Sequence, residues 1–252
     1  AACTEAGVCL TITPDGSKKP VATAALTYLL SVMHNLVIKN NRARDNRWDN
    51  RLENLGRGLN GKTIATIGLG NIGTEFFRLL EPFECKRIAY DPWVKKERAK
   101  EIGVELLELE ELLNIADAVV VLAVLTPDTH HLINRENLKL MKSNAIIINI
   151  SRGPIIEELA LIESLKNNII AGAGLDVFEI EPTTNNNELL KLENVIITPH
   201  NIAWTDELAF GMGRSAFNSI KAISQGEVPN YVVNKEVLDT DQFKKKLAKF
   251  KR

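Results

Sequence analysis

The sequence predicts an α/β chain built on a doubly wound parallel sheet, and three observations carry that expectation. From Gly61 to Pro199 short β-rich runs alternate with helical patterns, as βαβ units do. Those runs are apolar almost throughout, which suits strands covered by helices on both faces. The first run ends in the glycine turn Gly68-Leu69-Gly70-Asn71-Ile72-Gly73, and the next ends on Asp91. Together these features describe a dinucleotide-binding domain of the Rossmann type.

Taken in order, the predicted strands are Thr63–Gly68, Arg87–Asp91, Ala118–Ala123, Ala145–Ile150, Gly172–Val177 and Val195–Thr198. Helical patterns lie between them at Glu75–Leu80, Lys95–Ile102, Leu107–Ile115, Asn134–Met141 and Ile156–Lys166. Before the first strand, an apolar stretch predicts a helix from about Pro20 to Lys39. The ends depart from this alternation. One short strand, Val8–Thr13, precedes a turn at Pro14-Asp15-Gly16, and a long helix runs from Glu207 to about Ser224 before Gly226-Glu-Val-Pro229 breaks it.

Composition narrows the function classes. The 252 residues carry 31 Lys+Arg and 32 Asp+Glu, a net charge of −1, which gives no general affinity for nucleic acid or a membrane surface. The basic tail from Phe243 to Arg252 reads as a solvated or frayed terminal helix rather than a binding patch. Cys3, Cys9 and Cys85 are odd in number and widely spaced, fitting neither a disulfide framework nor a zinc site; they suggest a reducing compartment and a cytoplasmic protein. The apolar stretch from Val21 to Ile38 is interrupted by Thr23, Thr27, Ser31, His34 and Asn35, so a buried helix suits it better than a membrane span.

The glycine turn has a chemical reading. Gly68 permits the tight turn, Gly70 lets a pyrophosphate approach the backbone, and Gly73 lets helix pack on strand. The following helix, opened by Asn71 and Ile72, points N–H groups and a partial positive charge at the phosphates. Asp91, eighteen residues after Gly73, is placed to accept hydrogen bonds from a ribose. A carboxylate there repels a 2′-phosphate, so NAD is the expected cofactor.

Further segments follow strand ends, where open α/β sheets bind ligands: Leu125-Thr126-Pro127, Ile150-Ser151-Arg152-Gly153, Asp176-Val-Phe-Glu179-Ile-Glu181-Pro182 and Thr198-Pro199-His200. With these motifs in this order, the chain resembles the D-isomer-specific 2-hydroxyacid dehydrogenases along nearly its whole length. The resemblance implies that Arg152 holds the substrate carboxylate, that His200 exchanges the proton of the 2-hydroxyl, and that Glu181 stabilises the His200 imidazolium. It implies cofactor contacts from Leu125, Thr126, Ile150, Ser151, Arg152, Asp176 and His200, with Asp176 ordering the nicotinamide end. Glu179 competes with Glu181 for the partner role, and Pro182 favours Glu181. No chemistry is assigned to His34, His130 or His131, and no metal site is expected.

The implied activity is NAD-dependent hydride transfer to or from C2 of a small D-2-hydroxy acid of the glyoxylate, hydroxypyruvate, phosphoglycerate or lactate type. An NAD(H)-sensing binding protein of the C-terminal-binding-protein corepressor type is the alternative. Two departures from the family pattern stand out. Leu122 and Val124 replace a usual His and Pro, and Asn201-Ile-Ala-Trp204 replaces a Gly-rich pair, so that Trp204 is a candidate to shape the substrate pocket. The chain also begins where the family's first domain, with its carboxylate-binding glycine loop, would already have ended, so it reads as N-terminally incomplete. On this reading residues 20–222 form the NAD-binding domain, and 1–19 with 223–252 are remnants of a flavodoxin-like substrate domain. The resemblance further implies a homodimer through the 20–39 helix and the loop carrying Trp48. Leu29 and Val32 are the positions at which to probe it; coverage by the missing domain is the competing explanation.

Overall fold

The computed structural model describes residues 1–49 and 51–250. Strands Thr63–Ile67 (β1), Lys86–Tyr90 (β2), Glu105–Leu106 (β3), Ala118–Val121 (β4), Ile146–Asn149 (β5), Gly172–Leu175 (β6) and Val195–Ile197 (β7) form one sheet. Its order is β3-β2-β1-β4-β5-β6-β7, and every pairing is parallel. The strand order reverses between β1 and β4, which makes that boundary the switch point where such sheets bind ligands. All six predicted strands form, each ending one or two residues early and β2 starting one residue sooner, and the two-residue β3 is an addition that no apolar run announced.

The helices are Ala2–Glu5 (α1), Pro14–Met33 (α2), Leu36–Arg44 (α3), Asn71–Leu79 (α4), Lys96–Glu101 (α5), Leu109–Ile115 (α6), Arg135–Leu140 (α7), Glu158–Lys166 (α8), Asp206–Ser224 (α9) and Asp241–Ala248 (α10). Backbone contacts divide the chain into two compact units, residues 21–203 and residues 1–20 with 204–252.

Alternation along the strands feeds two cores in the larger unit. In β4, Val119 and Val121 join one cluster with Ile67, Ile147 and Leu161, whereas Ala118 and Val120 join another with Tyr28, Phe76 and Ile148. Successive strand side chains point to opposite faces, so a sheet covered on both sides needs apolar residues at every position. In the smaller unit, Val232, Val237 and Phe243 make a third cluster with Cys9 and Leu247.

Several expectations are corrected here. The helix foreseen over residues 20–39 is two helices, because Asn35 adopts a left-handed conformation (φ 52°) and the axis bends by 59°. Asparagine tolerates that conformation, and its Nδ2 donates to the Asn54 carbonyl (3.2 Å). The turn foreseen at Pro14-Asp15-Gly16 is instead the first turn of α2, where a proline's missing N–H is no loss. The strand foreseen over Val8–Thr13 is reduced to one antiparallel bridge, Thr11 to Val232. His34 is exposed at the α2–α3 break rather than buried. Leu29 and Val32 do not face outward: they are 0 % and 7 % exposed and packed into the sheet-covering core. Among the described residues, no single helix is long and apolar enough to cross a membrane. Within the basic tail, α10 forms as a terminal helix; Lys251 and Arg252 lie outside the described residues.

Candidate active site

The glycine turn follows β1 as its spacing requires. Gly68 has φ 97°, and a Cβ there would lie 2.8 Å from the Ala123 nitrogen. A Cβ on Gly73 would meet the Gly68 carbonyl oxygen at 2.7 Å, whereas one on Gly70 would meet nothing within 4 Å. The first and third glycines are therefore locked by packing, and the second faces open space. Asn71 and Ile72 open α4, with Gly70 at its N-cap. Asp91, at the end of β2, is drawn onto this turn: its Oδ2 accepts from the Leu69 N–H (2.8 Å) and its Oδ1 from the Trp93 N–H (2.9 Å). A carboxylate oxygen accepts more than one hydrogen bond, so capacity for ribose hydroxyls remains. Open backbone at a helix N-terminus beside a fixed acid fits a dinucleotide.

The loops after β4 and β5 lie next along the sheet edge. Leu125 and Thr126 are exposed, and the Thr129 hydroxyl closes their turn by accepting from the Thr126 N–H (2.7 Å) and donating to the Val124 carbonyl (2.7 Å). Ser151 donates to the Ala123 carbonyl, joining this loop to the one after β5. Asn149, the last residue of β5, accepts from the Ser151 N–H (3.0 Å) and donates to the Arg152 carbonyl (2.9 Å). That clasp turns the chain sharply after the buried Ile150 and presents Arg152 to solvent. Arg152 Nη1 donates to the Ser151 carbonyl (2.6 Å).

Beyond β6 a predicted residue anchors the loop that follows β7. Asp176 is 4 % exposed, and its Oδ1 accepts from the Thr198 hydroxyl (2.5 Å) and from the N–H groups of Asn201 (2.9 Å) and Ile202 (3.2 Å). It orders the loop that carries His200. Tyr28 of α2 completes the same network, donating to the Leu175 carbonyl (2.8 Å) and meeting the Thr198 hydroxyl at 2.6 Å. Burial, followed by the Asp176 charge, pushes the Tyr28 phenol well above its ordinary range despite its bond to Thr198. Sequence reasoning missed Tyr28, Asn149 and Thr198. Tyr28 lies 147 positions from Leu175, and no local pattern marks such a partner.

His200 sits in the left-handed region, at φ 55°. Its Nδ1 lies 2.7 Å from Glu181 Oε2, and Glu181 Oε1 accepts from the Phe178 N–H (3.0 Å). Partial burial pushes the Glu181 carboxyl up. The hydrogen bonds from His200 and Phe178, with the charges of His200 and Arg152, outweigh that burial and hold it below the usual carboxylate range. An ionised Glu181 can only accept, so Nδ1 carries the proton and Nε2 is left to exchange one. Glu179, the rival for this role, pairs with His131 instead (2.6 Å).

A cavity of about 520 Å³ is lined by Phe178, Glu181, Pro182, Thr183, Pro199 and His200. A second cavity, of about 410 Å³ with Arg57 and Asn194 among its lining, opens at the amino ends of β5 and β6, the end of an open α/β sheet opposite its ligand crevice. Trp204 is 77 % exposed and belongs to the other compact unit.

Residues 26–201 match the sequence profile of the D-isomer specific 2-hydroxyacid dehydrogenase NAD binding domain. A glyoxylate reductase of Thermococcus litoralis is 40 % identical over 241 residues, covering 93 % of this chain and 72 % of that one. A D-3-phosphoglycerate dehydrogenase of Methanocaldococcus jannaschii is 41 % identical over 234 residues, covering 92 % of this chain and 44 % of that one. Among solved structures, D-lactate dehydrogenase from Aquifex aeolicus complexed with NAD and lactic acid superposes with a TM-score of 0.80 at 31 % identity, covering 90 % of this chain and 72 % of that one.

Proposed function

The chain belongs to the D-isomer specific 2-hydroxyacid dehydrogenase family, and we propose that it works as an NAD-dependent oxidoreductase on a small D-2-hydroxy acid and its 2-keto partner. The observation that carries this reading is the His200–Glu181 pair, 2.7 Å apart on a cavity at the carboxyl edge of the sheet. Bound NAD(H) supplies or takes up the hydride at C2. Gly68, Gly70 and Gly73 would admit its pyrophosphate, Asn71 and Ile72 would present the α4 N-terminus, and Asp91 would hold its ribose. Leu125, Thr126, Ile150 and Ser151 would line the remainder of the cofactor path.

In the reducing direction His200 gives a proton from Nε2 to the developing 2-alkoxide, while ionised Glu181 stays on Nδ1 and stabilises the imidazolium. Arg152, with its planar and permanently charged fork, pairs the substrate carboxylate. Asp176 fixes the loop on which His200 stands. The test follows NADH oxidation with glyoxylate, hydroxypyruvate and pyruvate in a protein that carries the whole substrate domain. Turnover with one or more is expected; NADH binding without turnover on any 2-keto acid would leave the NAD(H)-sensing reading in its place.

A homodimer is part of the proposal. Leu36, Val37, Trp48, Leu52 and Leu55 are exposed on α3 and the loop after it, and large apolar side chains left in water there suit an isologous contact. Free Cys3, Cys9 and Cys85 suit a reducing, cytoplasmic setting.

A further inference from the structure

The loop after β4 and the loop after β6 meet at a cluster of imidazoles and a carboxylate outside the catalytic pair. His131 Nε2 lies 2.6 Å from Glu179 Oε1, and the rings of His130 and His131 stand with centroids 4.0 Å apart. One nitrogen from each ring and one Glu179 oxygen fall within 4.8 Å of one another. We propose that His130, His131 and Glu179 bind a divalent transition-metal ion of the zinc class.

The backbone explains why two adjacent histidines converge. In extended chain, successive side chains point to opposite sides. His131 is instead left-handed (φ 50°), with its N–H on the Pro154 carbonyl (2.8 Å), and both rings turn to the same side. The carboxylate is held in place as well. The Glu179 N–H donates to Glu158 Oε2 (2.9 Å), and the Glu158 N–H donates to Glu179 Oε2 (3.3 Å). That leaves Oε1 for the ion, the kind of outer contact that orients a metal ligand.

Donor chemistry selects the ion. Calcium and magnesium favour all-oxygen shells, whereas two imidazoles and one carboxylate are a set that zinc accepts with water completing the coordination. His130 is exposed and the other two are half-buried, so the ion enters from solvent and keeps water on its open side. An ordinary His131–Glu179 hydrogen bond has no use for His130. Once bound, the ion fastens the loop carrying Leu125 and Thr126 to the loop carrying Glu181.

The experiment titrates the chelator-stripped protein with zinc chloride against a chromogenic chelator, with thermal melting followed in parallel. One zinc per chain is expected, with affinity falling as pH drops through the histidine range because the ligands must be neutral. His130→Ala and Glu179→Gln should each weaken binding by at least about tenfold, and zinc should raise the melting temperature of the parent but not of His130→Ala. His200→Ala, which removes the other imidazole–carboxylate pair, should bind zinc as the parent does. Unchanged affinity in His130→Ala, lost affinity in His200→Ala, or no stoichiometric zinc in the parent would overturn the site. His130 is exposed, so its replacement by alanine tests the site without risk to the fold.

Discussion

His200 is constrained twice, by a left-handed backbone and by Glu181 on its Nδ1. In a protein that carries the whole substrate domain, replacing His200 by Ala should lower kcat about 10²–10⁴-fold, the range for a positioned general acid, while NADH affinity measured by fluorescence titration stays near the parent value. Glu181→Gln keeps the shape and removes the charge that favours the imidazolium. Keto-acid reduction needs that protonated form, so the pH–rate profile should move to lower pH; an unmoved profile would take the role from Glu181. The sign for stability is separate. The Glu181 carboxyl is held below its ordinary range, so its contribution is present above the unfolded carboxylate range and is lost as pH falls through the lowered folded value. At the other end of the site, Asp91 already holds the Leu69 and Trp93 amides. Its carboxylate should favour NADH over NADPH by about 1–3 kcal/mol, and equal affinities by titration would end that assignment.

At the level of elements, the site stands on contacts between loops and helices rather than on any one strand. A Cβ on Gly153 would come within 1.9 Å of the Phe178 backbone, which clamps the loop after β5 against the loop after β6. Gly153→Ala should therefore destabilise by at least the about 1–3 kcal/mol of an overpacked core, read as a lower denaturation midpoint with an unchanged slope. Tyr28→Phe removes the phenol that α2 sends to Leu175 and Thr198. A loss of about 1 kcal/mol is expected for such a bond, together with a fall in kcat, because Thr198 and Asp176 order the loop of His200. A parent-like kcat in that variant would separate the network from catalysis. Both parts of this clamp escaped the sequence for one reason: Tyr28 and Gly153 look like an ordinary core aromatic and an ordinary turn glycine until distant backbone is laid beside them.

For the whole molecule, the apolar helix foreseen over residues 20–39 is divided by the break at Asn35. The α2 portion is consumed in the chain's own core, and the exposed apolar surface falls on Leu36, Val37 and the loop with Trp48. Charged substitutions at Leu36 and Trp48 should yield soluble monomers, whereas those at Leu29 and Val32 should unfold the protein. Light scattering that finds a monomer for the unmodified protein at micromolar concentration would end the dimer proposal.

By itself the sequence determined the parallel sheet, the glycine turn with Asp91, and the pairing of His200 with Glu181. Each is a local matter: apolar runs covered on both faces, glycines where a Cβ has no room, and motifs of a few consecutive residues. Only the tertiary structure decided that the other glutamate, Glu179, meets His131. Glu179 and Glu181 are two residues apart and chemically alike, yet the loop directs one to His131 and the other to His200. It also decided that Asp176 turns toward Thr198, Asn201 and Ile202, and that one left-handed residue brings His130 and His131 to the same side. These outcomes depend on backbone dihedrals and on partners many residues away, which no spacing along the chain encodes.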